Sequence, residues 1–596
     1  MAASPLANSD GVLSYSITTN GAPLKDTVNV LSIEVSKMIN QISKAKIVIE
    51  DGDMPTKDFI ISNQDDFKPG AEIVIKAGYA GSLSQIYSGI VIRHGISIGQ
   101  QNDSRLVVEC RDKAVAMTLG RKSNNYVDQK DSDIISTLIG QSSGLSADVT
   151  ATTTEYPELV QFNCTDWDFL LVRAEVNGFV VCVDDGKVSV NAPKVSSSAV
   201  LTVTYGEDLI RFNADIDARY QFKSVTGISW DSKNQASIEA EVSAQTLNSQ
   251  GDLTTDDLAE ALNLSEYRLQ TSSALAQSAL KDWATGQQVK SGLSRIRGNM
   301  AFQGNDQVMI GSLVEVAGVG NRFNGDVFVS QVHHELSNGQ WLTEVEFGMS
   351  PNWSAEHRDL APPAASGLIP GIEGLHIGVV LKLDEDPAQQ NRIQVQVPVA
   401  QAQTQGVWAR LSTYYASEGF GNFFIPEIGD EVVLGYFNQD PSEPVILGSL
   451  YSSQRSPPDE LSAENNIKAI VTKSLLKIEF DDENKVITVI TPGNNKIILS
   501  DKDESILLQD QNNNKVELSS SGISLESPKD IKISAQGTLS LESEGKMSLS
   551  SNADLSASGL NVNMEAQVGF TGKGSATAEL SASGQTTVKG AIVMIN

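Results

Sequence analysis

Apolar and polar residues alternate with a period of two along most of this 596-residue chain, which is the signature of half-buried strands. Between Gly11 and about Leu119, the runs VNVLSIEVS, KAKIVIEDG, AEIVIKAGY, IYSGIVIRHGISI and SRLVVECRD are separated by turn signals. That spacing predicts an antiparallel barrel or sandwich. A helical stretch near 132–140 and a Thr-rich loop around 151–156 interrupt it. In CTDWDFLLVRAEVNGFVV, Thr165 can cap a helix with Asp168 as its box partner, Trp167, Leu170, Leu171 and Ala174 share one face, and Gly178 supplies a left-handed stop. Strands resume after it. The sevenfold spacing of Leu262, Leu269, Ala276 and Trp283 predicts one long helix over about 255–286 with a buried side, and strand signals return in SLVEVAGV, DVFVSQVHHEL and WLTEVEFGMS.

Composition turns to Pro, Ala, Ser and Gly in APPAASGLIPG and again in SSQRSPPDE, as linkers do. These divide the chain into 1–365, 366–456 and 457–596. From Leu461 onward there is no Trp, Tyr, His, Cys or Arg, and Phe480 and Phe570 are the only aromatics. Here the alternation gains a longer beat: ISLESPKD, IKISAQGT, LSLESEGK and MSLSSNAD put Ile523, Ile531, Leu539, Met547 and then Leu555 on the first place of each octad. Leu525, Ile533, Leu541 and Leu549 take the third. Such a repeat reads as one short strand plus one turn per unit, and NKVITVI, NKIILSD and NKVELSS upstream show a looser hairpin rhythm. Each octad buries two side chains worth about 1.5–3 kcal/mol apiece, against about 1–2 kcal/mol of backbone entropy per ordered residue. One ribbon therefore cannot stand alone. A single chain coiling as a β-solenoid of about three octads per turn, or three chains each forming one wall of a triangular prism, would bury the oily face, and the periodicity leaves both open. A disordered Ser/Gly-rich tail is a third reading, opposed by the in-phase apolar places. Beyond Leu555 the phase slips, to Val562, Met564, Ala566, Val568 and later Leu580, Ala582 and Val588, and small residues suggest a taper.

Acidic residues outnumber basic ones by 74 to 44, a formal charge of -30, so nucleic acid is an unfavourable partner. The start MAASPLANSDG lacks the basic and apolar regions of a secretory signal, and no stretch reaches eighteen apolar residues, so a soluble, cytosolically made protein is expected. Cys110, Cys164 and Cys182 form no CxxC and are expected as buried free thiols. Of the five histidines, His94, His333, His334, His357 and His376, the adjacent pair His333 and His334 would point to opposite sheet faces and share no metal. GFTGKGSA lacks the leading glycine of a phosphate loop, and Asp501 and Asp503 lack the rest of a calcium loop. Asp184-Asp185 and Asp481-Asp482 read as turns, and no HExxH or GxSxG occurs. No catalytic, cofactor or metal residue is expected.

The segment GVWARLSTYYASEGFGNFFIPEIGDEVVLGYFNQDPSEPVILGSLYS resembles the oligonucleotide/oligosaccharide-binding (OB) type barrel of the VgrG and phage-baseplate spike family. The elements that carry the match are Trp408, Arg410, Gly421, Pro426, Gly429, Asp440, Pro441 and Gly448. TDWDFLLVRAEVNGF is similar to that family's hub helix. The resemblance implies a mainly β chain: β-barrel hub domains with inserted helices, then an OB-fold barrel, then a trimeric triple-stranded β-helix needle. It implies a homotrimer joining inner tube and baseplate proteins to a needle whose Val588, Ile592, Met594 and Ile595 dock a PAAR-type tip protein, with cargo effectors and a target envelope as further partners. The strand RIQVQVP lacks the His-Trp-Asp ending common in type VI secretion members, which favours a phage-tail-like extracellular particle, assembled in the cytoplasm and then released or fired. A needle without histidine cannot form an HxH iron site. The short hinge has no room for a lysozyme-like insert, and no effector domain is expected after the repeat. An envelope-degrading spike enzyme, a type VI VgrG and a receptor-binding fibre are the rival expectations.

Overall fold

The computed structural model describes residues 2–8, 11–100, 103–244, 247–357, 360–398 and 406–595. The chain forms two compact units, Met1–Leu450 and Tyr451–Asn596.

In the first unit thirteen strands make one sheet. Its main path runs Arg211–Ile216, Ile296–Gln303, Gln340–Phe347, Gly325–Ser337, Val30–Met38, Lys44–Glu50, Ser104–Arg111, Ser82–Ile98, Glu72–Tyr79, Leu13–Thr19 and Ala22–Pro23. Two apolar cores pack against it. Ile33, Val35, Ile47, Ile75, Leu106 and Val108 belong to one, and Met300, Phe302, Val316, Val327, Val345 and Phe347 to the other. The strand Gly325–Ser337 serves both: Val327, Val329 and Val332 lie in the second core and Leu336 in the first. The two cores thus share a single sheet.

Two helices, α1 (Asp131–Gly140) and α2 (Asp166–Val176), form an inserted lobe with a three-stranded sheet of Val180–Asp184, Lys187–Asn191 and Ser146–Val149. Thr165 Oγ1 accepts from the Asp168 amide at 3.1 Å and donates to the Asp168 carboxylate at 2.6 Å. Trp167, Leu170, Leu171 and Ala174 are buried, and Gly178 has φ +68°, so the predicted cap, face and stop all form. The Thr-rich loop ends earlier than expected, since Glu155 and Tyr156 already begin the strand Glu155–Cys164.

The predicted long helix over 255–286 does not exist. Helix α3 covers Thr255–Ala261, the strand Glu266–Gln270 follows, and α4 covers Gln277–Ser294. Thr254 and Asp257 form a full capping box at the start of α3, and Asn263 at φ +55° ends it. The alternating run EYRLQ then pairs in parallel with Ser224–Asp231 and buries Leu269 from a strand. Sheet pairing overrides the weak heptad, and Leu262 is left exposed.

The APPAASGLIPG segment is ordered, not open. Ala365 is buried, Asn438 Nδ2 donates to Ser366 Oγ at 2.9 Å, and the Ile372 amide donates to Gln439 O at 2.9 Å. Beyond it a closed barrel links His376–Lys382, Ile393–Gln396, Val407–Leu411, Pro444–Leu450 and Glu431–Tyr436, around Val380, Val395, Ala409, Leu434 and Ile446.

The second unit opens with a seven-stranded antiparallel meander, Ile467–Val471, Lys477–Asp481, Val486–Ile490, Lys496–Ser500, Ser505–Gln509, Lys515–Ser519 and Gly522–Glu526. Its hairpin turns use left-handed residues, Leu475, Lys485, Asn494, Glu504 and Asn513. Asn tolerates that conformation through its short polar side chain.

Candidate functional site

The meander concentrates its chemistry on one face. Cross-strand register aligns Ile478, Val489, Ile497, Leu508, Val516 and Leu525 in one row, and Phe480, Ile487, Leu499, Ile506, Leu518 and Ile523 in the next. The opposite face mixes charged and small polar groups with Val486, Ile490, Ile498 and Leu507, and carries the pairs of Lys477 with Glu479 and Lys515 with Glu517. A two-row apolar stripe six strands long is therefore uncovered in the single chain: its members from Ile478 to Leu508 are 37–43% exposed. The sequence signal was the alternation within each NK-led run, but which rows face each other depends on the hairpin registers.

Among the described residues no ladder forms within the chain beyond Glu526, and no residue after Gly522 has a left-handed φ. The octads are consequently not hairpins. The chain stays extended and bends at 528–529, 536–537, 544–545 and 552–553, then at 560, 567–568, 575–576, 583–584 and 591–592. The beat of eight continues past Leu555 after one seven-residue unit, whose shortening falls in the bend at Leu560. Val562 and Met564 take the same places after their bend as Ile531 and Ile533 do after theirs, and Phe570 with Gly572 and Ala578 with Leu580 follow. Of the residues assigned to needle packing, Ile523, Leu525, Ile531, Ile533, Leu539, Leu541, Met547, Leu549 and Leu555 are all 49–78% exposed in one chain. From Ile531 onward their backbone also lacks the intrachain partners that a sheet would supply, whereas Ile523 and Leu525 sit in the last meander strand.

The barrel residues hold turns and strand ends. Gly429 (φ +85°) donates its amide to Val380 O at 2.7 Å, and Pro426 is buried beside it. The Asp440 carboxylate accepts from the Ser442 amide at 2.8 Å, which shapes the turn at Pro441. Arg410 lies over the Phe437 ring at 5.9 Å. A Cβ on Gly421 would meet Tyr415 O at 2.7 Å, so the tight hairpin of Ala416–Ser417 with Phe420–Gly421 needs glycine there. Trp408 is half-buried, and Gly448 pairs with Val433. The Arg392 guanidinium, with backbone amides of the turn, holds Asp386 well below the usual carboxylate range. Sequence reasoning did not single out the aromatic loop: Tyr414, Tyr415, Phe420, Phe423 and Phe424 all stand exposed.

In the hub, His334 is buried and His333 half-buried on the other face. Trp341 Nε1 donates to His334 Nδ1 at 3.3 Å, and Thr343 Oγ1 lies 3.0 Å from it. Burial drives the His334 pKa down to about 3. Cys110 and Cys164 are buried but Cys182 is only partly so; burial pushes Cys110 up to about 12 and Cys182 up to about 11, which suppresses thiolate chemistry. Asp185 and Asp481 occupy hairpin turns or strand ends, and Asp501 and Asp503 do likewise. Among the described residues no group of His, Cys, Asp and Glu could hold a metal, and no helix is long and apolar enough to cross a membrane. The docking residues Val588, Ile592, Met594 and Ile595 are 64–92% exposed; Asn596 lies outside the described residues.

The fold is a mainly β sheet followed by a closed five-stranded barrel, and the barrel is similar to that of VgrG and phage-baseplate proteins. The family described as type VI secretion system/phage-baseplate injector OB domain matches residues 376–451. The family described as Alg8 N-terminal domain matches residues 9–338, more than half of the chain, and the chain belongs to that family. It is 33% identical over 67 residues to the type VI secretion system spike protein VgrG1a of Pseudomonas aeruginosa, covering 11% of this chain and 10% of that protein. The chain thus spans about a tenth of the length of that curated relative. Among solved structures, the 43 kDa tail protein of prophage MuSo2 from Shewanella oneidensis matches with a TM-score of 0.43 at 12% identity, covering 57% of this chain and 98% of that one. An E. coli component of the type VI secretion system, itself described as similar to the phage T4 tail proteins gp27 and gp5, matches with a TM-score of 0.36 at 11% identity over 73% and 99%. The resemblance of the barrel to the VgrG and phage-baseplate family is borne out.

Proposed function

We propose that this chain is the structural hub and spike subunit of a phage-tail-like contractile injection apparatus and works as a homotrimer. Residues 1–365 form the hub that meets the inner tube and baseplate, 366–456 the OB barrel, and 457–596 the needle, whose end at Val588, Ile592, Met594 and Ile595 carries a conical tip protein. The subunit acts mechanically: it is assembled in the cytoplasm and driven into a target envelope, and it catalyses no reaction of its own.

The observation that carries this reading is the uncovered two-row stripe followed by octads without an intrachain ladder. Covering the remaining exposure of the stripe contributes about 1 kcal/mol per side chain, or roughly 8–10 kcal/mol per chain, and the more exposed octad places add roughly 10–15 kcal/mol. Association costs about 4–15 kcal/mol in lost freedom. The stripe alone barely offsets that cost, and the octads decide the balance. A single-chain solenoid would satisfy its backbone through ladders between its own turns, and the described octads from Ile531 onward have none. Three copies closing a prism satisfy both the side chains and the backbone, with a closed symmetry that leaves no free edge.

The test is the solution mass of the intact chain. The expected value is about 191 kDa, three times the 63.8 kDa chain, and a stably folded species of one chain mass rejects the proposal.

A further inference from the structure

The hub-helix motif contains a carboxylate that the spike reading does not use. Glu175, on the last turn of α2, is 3% exposed, yet it carries a charge into the hub interior. It accepts from Lys290 Nζ of α4 at 2.8 Å, and Lys290 is itself 2% exposed. The same carboxylate accepts from the Ser354 amide at 2.8 Å and from Ser354 Oγ at 3.0 Å. Lys290 also donates to Asn352 O at 2.9 Å and lies over the Trp353 ring at 5.2 Å. Trp353 Nε1 donates to Gln287 Oε1 at 2.8 Å. Apart from Asn40, whose Nδ2 donates to Glu175 at 3.5 Å, the partners outside the two helices belong to one short segment, 352–354, where the chain leaves the last hub strand Gln340–Phe347.

Packing around this knot is equally committed. A Cβ on Gly286 would meet Glu175 O at 2.4 Å and the Trp353 ring at 3.0 Å, so α4 approaches α2 and the indole closely only because position 286 is glycine. Just upstream, Gly348 turns at φ +76°, and the Met349 amide donates to Leu293 O at 2.8 Å, which lays the exit segment along the end of α4. Downstream, Arg121 donates to Leu360 O at 3.1 Å.

We propose that Glu175, Lys290 and Trp353 form a buried anchor that straps the hub's exit segment to α2 and α4, so that load arriving from the barrel domain enters two helices rather than peeling the strand Gln340–Phe347 from its sheet. A buried ion pair is a weak source of net stability compared with apolar packing, but it is geometrically demanding. Here Lys290 and Glu175 direct their shorter remaining hydrogen bonds, at 2.8–3.0 Å, to a single segment, which suits an attachment point better than a general core. The mechanical role rests on the spike reading; the attachment itself does not.

The experiment is amide hydrogen exchange on the full chain with Trp353→Leu and Ser354→Gly, which remove the strap's side-chain contacts while leaving the buried pair intact, and with Lys290→Met combined with Glu175→Gln, which removes the pair and is expected to accelerate the same amides further. The solution mass of each is measured in parallel. Losing hydrogen bonds to a charged group predicts roughly 10- to 100-fold faster exchange for the amides of 352–357 in the strap variants, with the amides of Ile296–Gln303 and Gln340–Phe347 unchanged. Unchanged exchange at 352–357, or equal acceleration throughout the hub sheet, overturns the anchor. Because the strap variants leave the needle untouched, a wild-type monomer rejects the spike reading without bearing on the attachment.

Discussion

Ile497 and Ile498 are neighbours of identical chemistry on opposite faces of the strand Lys496–Ser500. Ile497 lies in the stripe between Val489 and Leu508, and Ile498 lies on the opposite face between Thr488 and Leu507. In the isolated chain Ile497 is 42% exposed, so Ile497→Asp costs a lone meander only about 1–2 kcal/mol in lost partial burial. In a closed prism the same change places three carboxylates in one dry layer. Each brings an effective desolvation penalty of several kcal/mol, and like charges prevent them from ionising together. Counted per chain, that penalty of several kcal/mol cancels a large part of the roughly 8–10 kcal/mol that the stripe contributes, while the octads' share remains. Ile497→Asp is therefore expected to loosen the trimer, lowering its thermal midpoint strongly and releasing single chains on dilution, whereas Ile498→Asp, on the face outside the stripe, keeps it and lowers the midpoint less. Light scattering coupled to size exclusion, with thermal unfolding of the same samples, reads both. A trimer that survives Ile497→Asp but falls apart with Ile498→Asp would show that the other face is inside, and the stripe argument would be wrong.

Leu541→Asp in the third octad is expected to remove the trimer or strip order from the needle while the hub stays folded, read by mass and by circular dichroism; an unchanged mass and melting profile counts against the octad packing. One residue inserted beside Leu560 completes the short unit within a bend and is expected to leave the mass and melting unchanged, whereas one inserted between Met547 and Leu549 flips every later side chain of that segment and is expected to destabilise the trimer; equal effects would show that the bends do not set the register. His334 has a folded pKa of about 3, below its unfolded value of about 6.5. The neutral ring therefore contributes stability that is fully present above about pH 6.5 and is lost as pH falls towards 3, up to a few kcal/mol; His334→Gln should flatten that acid limb of the unfolding midpoint, and an unaltered limb assigns the loss to other groups.

Much of the architecture was legible in the sequence because its elements rest on local rules. The cap at Thr165, the stop at Gly178 and the turn residues of the meander each act within a few positions. The barrel was readable as an ordered match spanning Trp408 to Gly448. The heptad at 255–286 misled, since Leu269 serves a strand whose partner lies some forty residues earlier in the chain. The phase beyond Leu555 looked lost because apolar letters alone do not reveal that a bend has absorbed the missing residue.

Strand alternation and turn chemistry are properties of neighbouring residues, so the letters of the chain were enough to show that the octads carry an oily face, that they repeat in eights, and that a barrel similar to the injector class precedes them. Which apolar side chains stand in common rows, that the octads from Ile531 onward run without hairpins, and that Glu175, Lys290 and the segment 352–354 meet became visible only in the folded chain. Those facts depend on register and on contacts between residues far apart in the chain, where pairing and close packing, rather than local preference, set the outcome.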